Sequence, residues 1–253
     1  MQKPTLNKVL APLVLGAVIL LTWQLALSFE LVRPTLLPPP AKVFQRLQDD
    51  LAAGILSSYA AVTLKEALLG CLVGVSIAIP LGILMEKNRL AEAAISPYLA
   101  ASQAIPAIAI APLLVLWVGY GMRAIVVLCA LLVFFPVTIA TTLGLRQIET
   151  DLIEAARLDG AYGWSLLTQI EAPLARRTVI VGLRNGFTLS ITGAVIGEFV
   201  MGGQGLGMLL TVQANSSDTI GLFATLIVLA ALAIAVYLVM IALETWLDPL
   251  KGN

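Results

Sequence analysis

Long intervals without a charged side chain are the feature of this sequence that most constrains its fold. Intervals free of Asp, Glu, Lys and Arg lie at 9–29, 67–85, 93–122, 124–145 and 219–243. A further interval, 178–197, contains one charge, Arg184. The hydrocarbon core of a bilayer is about 30 Å thick, so a helix needs roughly 20 apolar residues to cross it. The sequence therefore predicts an all-α integral membrane protein with six transmembrane helices.

The predicted spans belong to a single transmembrane domain, 1–253. They are placed at 9–29, 58–85, 94–118, 124–146, 177–200 and 219–245. The first span is interpreted as an uncleaved anchor, because its uncharged run is longer than the apolar region of a secretory signal. Nine basic residues fall on the side of the two termini, namely Lys3, Lys8, Lys87, Arg89, Arg146, Arg157, Arg176, Arg177 and Lys251. The other side has four, Arg33, Lys42, Arg46 and Arg123. Because cytoplasmic loops carry the excess of Lys and Arg, both termini are predicted to be cytoplasmic.

Composition excludes several classes of protein. Hydrophobic residues make up 59% of the chain and charged residues 12%, against about 45–50% and about 25% in soluble domains. Fifteen basic residues balance fifteen acidic ones, so there is no basic field to bind nucleic acid. The chain has no histidine, which excludes His-based metal sites and Ser-His-Asp triads. Cys71 and Cys129 lie in apolar runs and are predicted to be small core residues. We predict no catalytic residue and no metal ligand.

Two of the loops are long enough to fold. The outer loop, 30–57, contains Pro38-Pro39-Pro40 and then a short amphipathic helix predicted at 41–51. In the cytoplasmic loop, 147–175, Asp151 is predicted to cap a helix that Gly160 ends. A second short helix is predicted to begin near Gly163 and to end before Pro173. This loop is either a structured connection between two spans or a knob that docks into a partner.

The spacing in the cytoplasmic loop resembles a known family. Glu154-Ala155-Ala156, then Gly160, Ile170 and Pro173, is similar to the EAA loop of bacterial ABC-importer permeases, with Ala172 where that pattern has Leu. The likeness extends to Ile105-Pro106, Leu116-Trp117-Val118-Gly119, Phe134-Phe135-Pro136 and Gly205-Leu206-Gly207, which look like the nitrate, sulfonate and taurine group of these permeases.

The resemblance implies a type I importer permease, which is a non-catalytic transport subunit of the bacterial inner membrane. Its expected partners are an ATP-binding cassette ATPase dimer, an external solute-binding protein and a second, identical permease. ATP and Mg would be bound by the ATPase, and this chain would hold no cofactor. The residues expected to couple it to the ATPase are Glu154, Ala155, Ala156, Leu158, Gly160 and Pro173.

The substrate remains open at this level. The segment from Gly197 to Ala224 looks more like permeases for a pyrimidine precursor of thiamin or for riboflavin, and sulfonate, taurine or nitrate is the alternative. A stand-alone secondary transporter or channel is the competing class. It would be expected to show acidic or histidine relays, or paired broken helices, inside the membrane.

Polar and small residues inside the spans are the remaining candidates. The predicted pathway or gate residues are Glu198, Asn185, Thr188, Thr192 and Gln103. Glu198 lies at the predicted outer end of its span, either in the gate or at a solvated rim, and Arg184 either snorkels to the cytoplasmic face or faces the lumen. A stripe of small residues is predicted to pack within the chain or to line a two-fold axis; it comprises Gly182, Gly186, Ser190, Gly193 and Gly197.

Pro106 is predicted to bend its span, either as a plain kink or as part of a gate. The glycines at 202–207 are no nucleotide loop, because Met208 follows where such a loop needs Lys.

Overall fold

A computed structural model describes residues 6–247, and every regular element within that range is helical. The helices are α1 (Leu6–Ser28), α2 (Pro40–Ala52), α3 (Ile55–Lys87), α4 (Arg89–Gln103), α5 (Ala107–Val118), α6 (Met122–Arg146), α7 (Thr150–Leu158), α8 (Gly163–Leu166), a π-helix (Leu167–Glu171), α9 (Ala172–Met201), α10 (Leu206–Asn215) and α11 (Thr219–Leu247). The predicted all-α class is confirmed. Both chain ends lie outside the described residues, and so do Lys3 and Lys251, two of the basic residues from which the orientation was inferred.

Four stretches of helix are long and apolar enough to cross a membrane. They are α3, α6, the continuous run Gly163–Met201 and, within α11, Thr219–Thr245. The bent pair α4 and α5 makes a fifth if it counts as one span. Helix α1 is apolar and has 23 residues, so it is the candidate for the sixth. The count of six and the predicted sidedness stay predictions.

The structure differs from the continuous span predicted at 94–118. Helices α4 and α5 meet at 105°, with the break at residues 104–106. Pro106 has an extended backbone, at φ −61° and ψ 131°, and it lacks the N–H that a continuing helix would use. Proline also disfavours the helical conformation in the residue before it. The bend is therefore a full interruption of the span and not the plain kink that was one of the two predicted outcomes.

The core lies along α6, which packs between α3 and α9. Its buried members include Ile125, Leu128, Cys129, Val133 and Val137, all without exposed surface. Gly70 of α3 allows the closest approach, because a Cβ there would lie 2.1 Å from the Cβ of Cys129. Both cysteines are free and buried, as predicted.

The small-residue stripe of α9 faces this core. A Cβ at Gly182 would lie 2.2 Å from the Cβ of Ala140 on α6. Gly193 meets Leu132 in the same way, and the Ser190 hydroxyl donates to the Ala67 carbonyl of α3 at 2.7 Å. The stripe is therefore packing within one chain, and the alternative that it lines a two-fold axis is wrong because α3 and α6 cover it.

At the opposite end from the loop 147–175, α2 packs against α11. Helix α2 has Pro40 in its first turn and buries Val43, which agrees with the predicted amphipathic helix. The Arg46 guanidinium pairs with Asp50 at 2.7 Å and with Asp218, just before α11, at 3.0 Å. The hydrogen bond that Arg46 donates to Asp50 raises the pKa of Arg46 above its ordinary value. This cluster fixes α2 and the start of α11 to one another.

The helix after Gly163 does not end before Pro173, and that prediction is wrong. A π-helix at Leu167–Glu171 leads directly into α9, and Pro173 occupies the first turn of α9. The π-helix has wider turns than an α-helix, so the hydrogen-bonding register changes next to Pro173, which has no N–H to donate. Residues 163–201 therefore form one helical run of 39 residues.

Candidate functional site

The loop between α6 and α9 folds into a small knob, defined here as residues 150–166. Helix α7 ends at Leu158, Gly160 follows with a φ of +91°, a conformation that favours glycine, and α8 then begins at Gly163. Glu149 occupies the N-cap position and makes no side-chain cap. Asp151 therefore lies in the first turn, where its charge still suits the positive end of the helix, and it is not the cap that was predicted.

Most of the predicted coupling residues are exposed on or beside this knob. No residue of α7 is buried, and Glu154, Ala155, Gly160 and Pro173 are exposed, while Ala156 is half-buried. The exposed fraction of Leu158 is 90%, and that of Trp164 is 77%. Large apolar side chains in a polar loop are the usual mark of a protein contact surface.

The predicted pathway residues divide between two places. Gln103, at the end of α4, and Asn185, on α9, line one cavity of about 530 Å³ beside the helix break. The rest of that lining comes mostly from apolar side chains of α6, including Phe135. Thr188 and Thr192 are exposed on α9 outside this lining, and each hydroxyl donates to the carbonyl four residues earlier.

Glu198 is fully buried, so the solvated-rim alternative is wrong. Its carboxylate accepts hydrogen bonds from the Thr63 hydroxyl at 2.7 Å and from the Gly207 N–H at the start of α10. The Thr63 hydroxyl in turn accepts from the Leu206 N–H at 2.8 Å. Helix α10 has no local side-chain cap. Glu198 and Thr63 together provide that cap from two other helices.

The glycine-rich segment 202–207 encloses this carboxylate. A Cβ at Gly205 would lie 2.0 Å from Glu198 Oε1, and one at Gly207 would lie 2.9 Å from Oε2. A Cβ at Gly203 would lie 2.8 Å from Glu198 Cγ. The segment therefore packs around a carboxyl group of its own chain, and we call this arrangement the Glu198 cradle.

The sequence analysis missed Thr63 and Glu66 as members of this cradle. Both are buried on α3, and the Glu66 carboxyl contacts that of Glu198. Glu66 Oε2 makes no hydrogen bond within residues 6–247. Two polar residues three positions apart within an apolar helix share one face, and that spacing was the available signal.

Arg184 is paired with a charge on another helix, a contact that neither of its two predicted roles included. Its guanidinium pairs with Glu244 of α11 at 3.0 Å and lies 5.6 Å from the centre of the Tyr237 ring. Residue spacing within α9 could not indicate this pair, because Glu244 lies 60 residues away on a neighbouring helix. The charge is thereby neutralised between α9 and α11.

With the geometry in place, comparison with known proteins identifies the family. Residues 78–252 match the family described as "Binding-protein-dependent transport system inner membrane component". The chain belongs to this family. It is 40% identical to the riboflavin transport system permease protein RibX of Chloroflexus aurantiacus, over 89% of this chain and 84% of that one. It is 31% identical to the formylaminopyrimidine transport permease protein ThiX of Halalkalibacterium halodurans, over 95% of both chains.

More distant relatives agree on the class. The taurine transport system permease protein TauC of Escherichia coli is 27% identical, over 94% of this chain and 88% of that one. In fold, the permease matches a chain of the MetNI methionine ABC transporter in an inward-facing conformation, with a TM-score of 0.69 and 20% identity, covering 78% of this chain and 98% of that one.

These findings confirm the membrane permease subunit of an ABC importer and exclude the stand-alone transporter or channel. The inner-membrane location follows from the same family.

Proposed function

We propose that this permease passes a neutral heteroaromatic vitamin, riboflavin or a pyrimidine precursor of thiamin, from an external binding protein to the cytoplasm. The observation that carries the proposal is the order of identities. The riboflavin relative is 40% identical and the formylaminopyrimidine relative 31%, whereas an aliphatic sulfonate relative from Bacillus subtilis is 28% and the taurine relative 27%.

The chemistry of the cavity supports the same choice. No Lys, Arg, Asp or Glu is among the residues that line it. Sulfonate, taurine and nitrate are charged, and moving a charge into an apolar cavity without a partner is costly. Gln103 and Asn185 offer amide donors and acceptors, and Phe135 offers an aromatic ring. That set suits a planar, uncharged ring with hydrogen-bonding edges.

Energy for transport is proposed to come from a pair of ATPases docked on the knob. The exposed Leu158 and Trp164 supply apolar contact area, and Glu154 supplies a charge at the surface. ATP and Mg would be bound by those ATPases, while this chain would bind neither and catalyse no reaction. Because a knob contributes one docking site and the ATPases act as a pair, a second identical permease completes the assembly.

Uptake into proteoliposomes tests the substrate. The permease is reconstituted with its partner ATPase and binding protein, and uptake of labelled riboflavin, formylaminopyrimidine and taurine is compared. We expect uptake of one of the two heteroaromatic compounds, reduced in Asn185→Leu. The matched control is Ser76→Ala, an exposed position on α3 that does not line the cavity. Uptake of taurine alone would overturn the proposal in favour of the sulfonate alternative.

A further inference from the structure

An ion pair joins the inner end of α3 to the segment that carries the knob. Lys87 is the last residue of α3, and its Nζ lies 2.6 Å from Oε1 of Glu171. The same Nζ lies 3.2 Å from Oε2 of Glu86. Glu171 is the last residue of the π-helix that connects the knob to α9. The pair therefore links two segments that are 84 residues apart in the chain.

Glu171 is held tightly in this contact. Its side chain is 5% exposed, and its second oxygen, Oε2, has no hydrogen-bond partner within the described residues 6–247. A buried carboxylate that loses its cation is strongly destabilised, because it can be solvated by neither water nor a partner. The Lys87–Glu171 contact is thus difficult to break while the two segments remain folded.

Close to this ion pair, a cavity lies between α3 and the helical run that begins at Gly163. The cavity measures about 360 Å³, and Ile79 and Ile83 of α3 line one side of it. Trp164 and Thr168 line the other side. Apolar packing across this gap is therefore incomplete, and the ion pair is a direct bridge between α3 and the base of the knob.

The other end of α3 reaches the Glu198 cradle. Thr63 precedes Lys87 by 24 residues, which corresponds to about 36 Å along a helix. The Thr63 hydroxyl bonds both to Glu198 and to the first residue of α10. One continuous helix therefore contacts the base of the knob at one end and the cradle at the other.

We propose that Lys87 and Glu171 are positioning residues that transmit movement of the docked knob to α3 and so to the Glu198 cradle. This inference rests on the proposed docking of an ATPase on the knob. ATP-driven displacement of the knob would pull the Glu171 carboxylate, and the paired Lys87 would move α3 with it. The apolar cavity leaves room for that movement, and the ion pair makes it directional.

Charge reversal in the assembled permease–ATPase complex tests the proposal. The variants are Lys87→Glu, Glu171→Lys and their double exchange, with Glu171→Gln as the variant that preserves side-chain volume. A fluorophore on Ser216→Cys, an exposed position just after α10, reports the far side, because both native cysteines are buried. Two quantities are measured: co-purification of the ATPase, and the change in fluorescence when Mg-ATP and vanadate are added.

The expected result separates docking from transmission. Each single reversal keeps the ATPase but reduces the fluorescence change by about fivefold or more, the lower end of ordinary allosteric coupling. The double exchange restores at least half of the change, and Glu171→Gln reduces it without loss of protein yield. The matched control is Glu92→Gln, which breaks the Arg146–Glu92 pair of 2.7 Å outside the knob and leaves the response unaltered.

Three results would overturn the inference. These are a normal response in the single reversals and in Glu171→Gln, no recovery in the double exchange, and loss of the ATPase from the single reversals. The last of these would make the pair part of the docking surface. If the unaltered permease failed to bind the ATPase, the proposed docking function would fail instead. Should a single reversal not fold, Glu171→Gln and the double exchange still decide the question.

Discussion

The knob and the Glu198 cradle are built from similar parts and end in opposite states. In each region a helix of about ten residues lies next to glycines. The knob has Glu154 in the middle of its helix, and the cradle has Glu198 beside the N-terminus of its helix. On the knob, Glu154 and Leu158 are exposed, and the Glu154 carboxylate makes no hydrogen bond or ion pair within residues 6–247. In the cradle, Glu198 is buried and bonded to two other helices. The difference teaches that the knob presents its side chains at the surface, as the proposed docking requires, whereas the cradle pairs Glu198 within the chain.

The largest expected effect is a difference in stability between variants of Glu198 and Glu154. Glu198→Ala leaves the Gly207 N–H and the Thr63 hydroxyl without their buried acceptor, so we expect a loss of about 2–4 kcal/mol. Glu154→Ala, in an exposed position, should change stability by less than about 0.5 kcal/mol. Thermal unfolding of the detergent-solubilised permease, followed by tryptophan fluorescence, measures both. Equal melting of the two variants would show that the cradle does not stabilise the fold.

The glycines give a second, smaller contrast. At Gly205 a Cβ would collide with the Glu198 carboxylate, so Gly205→Ala should cost about 2 kcal/mol through overpacking. At Gly160 a Cβ would meet nothing within 4 Å, and the cost of Gly160→Ala is the backbone strain at φ +91°, about 1 kcal/mol. The same unfolding measurement ranks them. A larger loss of stability in Gly160→Ala than in Gly205→Ala would show that close packing against Glu198 does not decide the cost.

Docking provides the third test, in which the knob should respond and the rest of the molecule should not. Glu154→Arg combined with Leu158→Ala should lower ATPase affinity about tenfold or more, equivalent to about 1.4 kcal/mol, while the stability of the permease changes little because both side chains are exposed. Asp49→Arg, an exposed acidic position on α2, is the matched control and should bind the ATPase normally. Co-purification at the unaltered yield in the double variant would contradict the docking role of the knob.

The smallest perturbation tests whether the two regions lie on opposite sides of the membrane. Asp159→Cys on the knob and Gln48→Cys on α2 are both exposed, so each should alter stability by less than about 0.5 kcal/mol. The buried native cysteines should not react. A membrane-impermeant thiol reagent added to sealed cells is expected to label Gln48→Cys and not Asp159→Cys. Labelling in the opposite order would invert the predicted orientation.

Features that depend on a short stretch of chain could be predicted from the sequence. Span length follows from the distance between charged residues, because only a run of about 20 apolar residues crosses the bilayer. The spacing of Glu154, Gly160 and Pro173 fixed the family and the position of the knob, and α2 was placed within one residue at each end. Each of these features is a property of neighbouring residues, so no knowledge of helix packing was needed.

Partners across helices were decided by tertiary structure alone. Thr63 and Glu198 are 135 residues apart, Lys87 and Glu171 are 84 apart, and Arg184 and Glu244 are 60 apart. The sequence marked Glu198 and Arg184 as costly inside a membrane, yet it could not say which side chain on another helix partners each of them. Pairing depends on the rotation and depth of each helix, and those are set by close packing at residues such as Gly70 and Gly182. The charge and hydrogen-bonding capacity of each side chain are thus set by the local sequence. Contacts between side chains on different helices depend on how the helices pack.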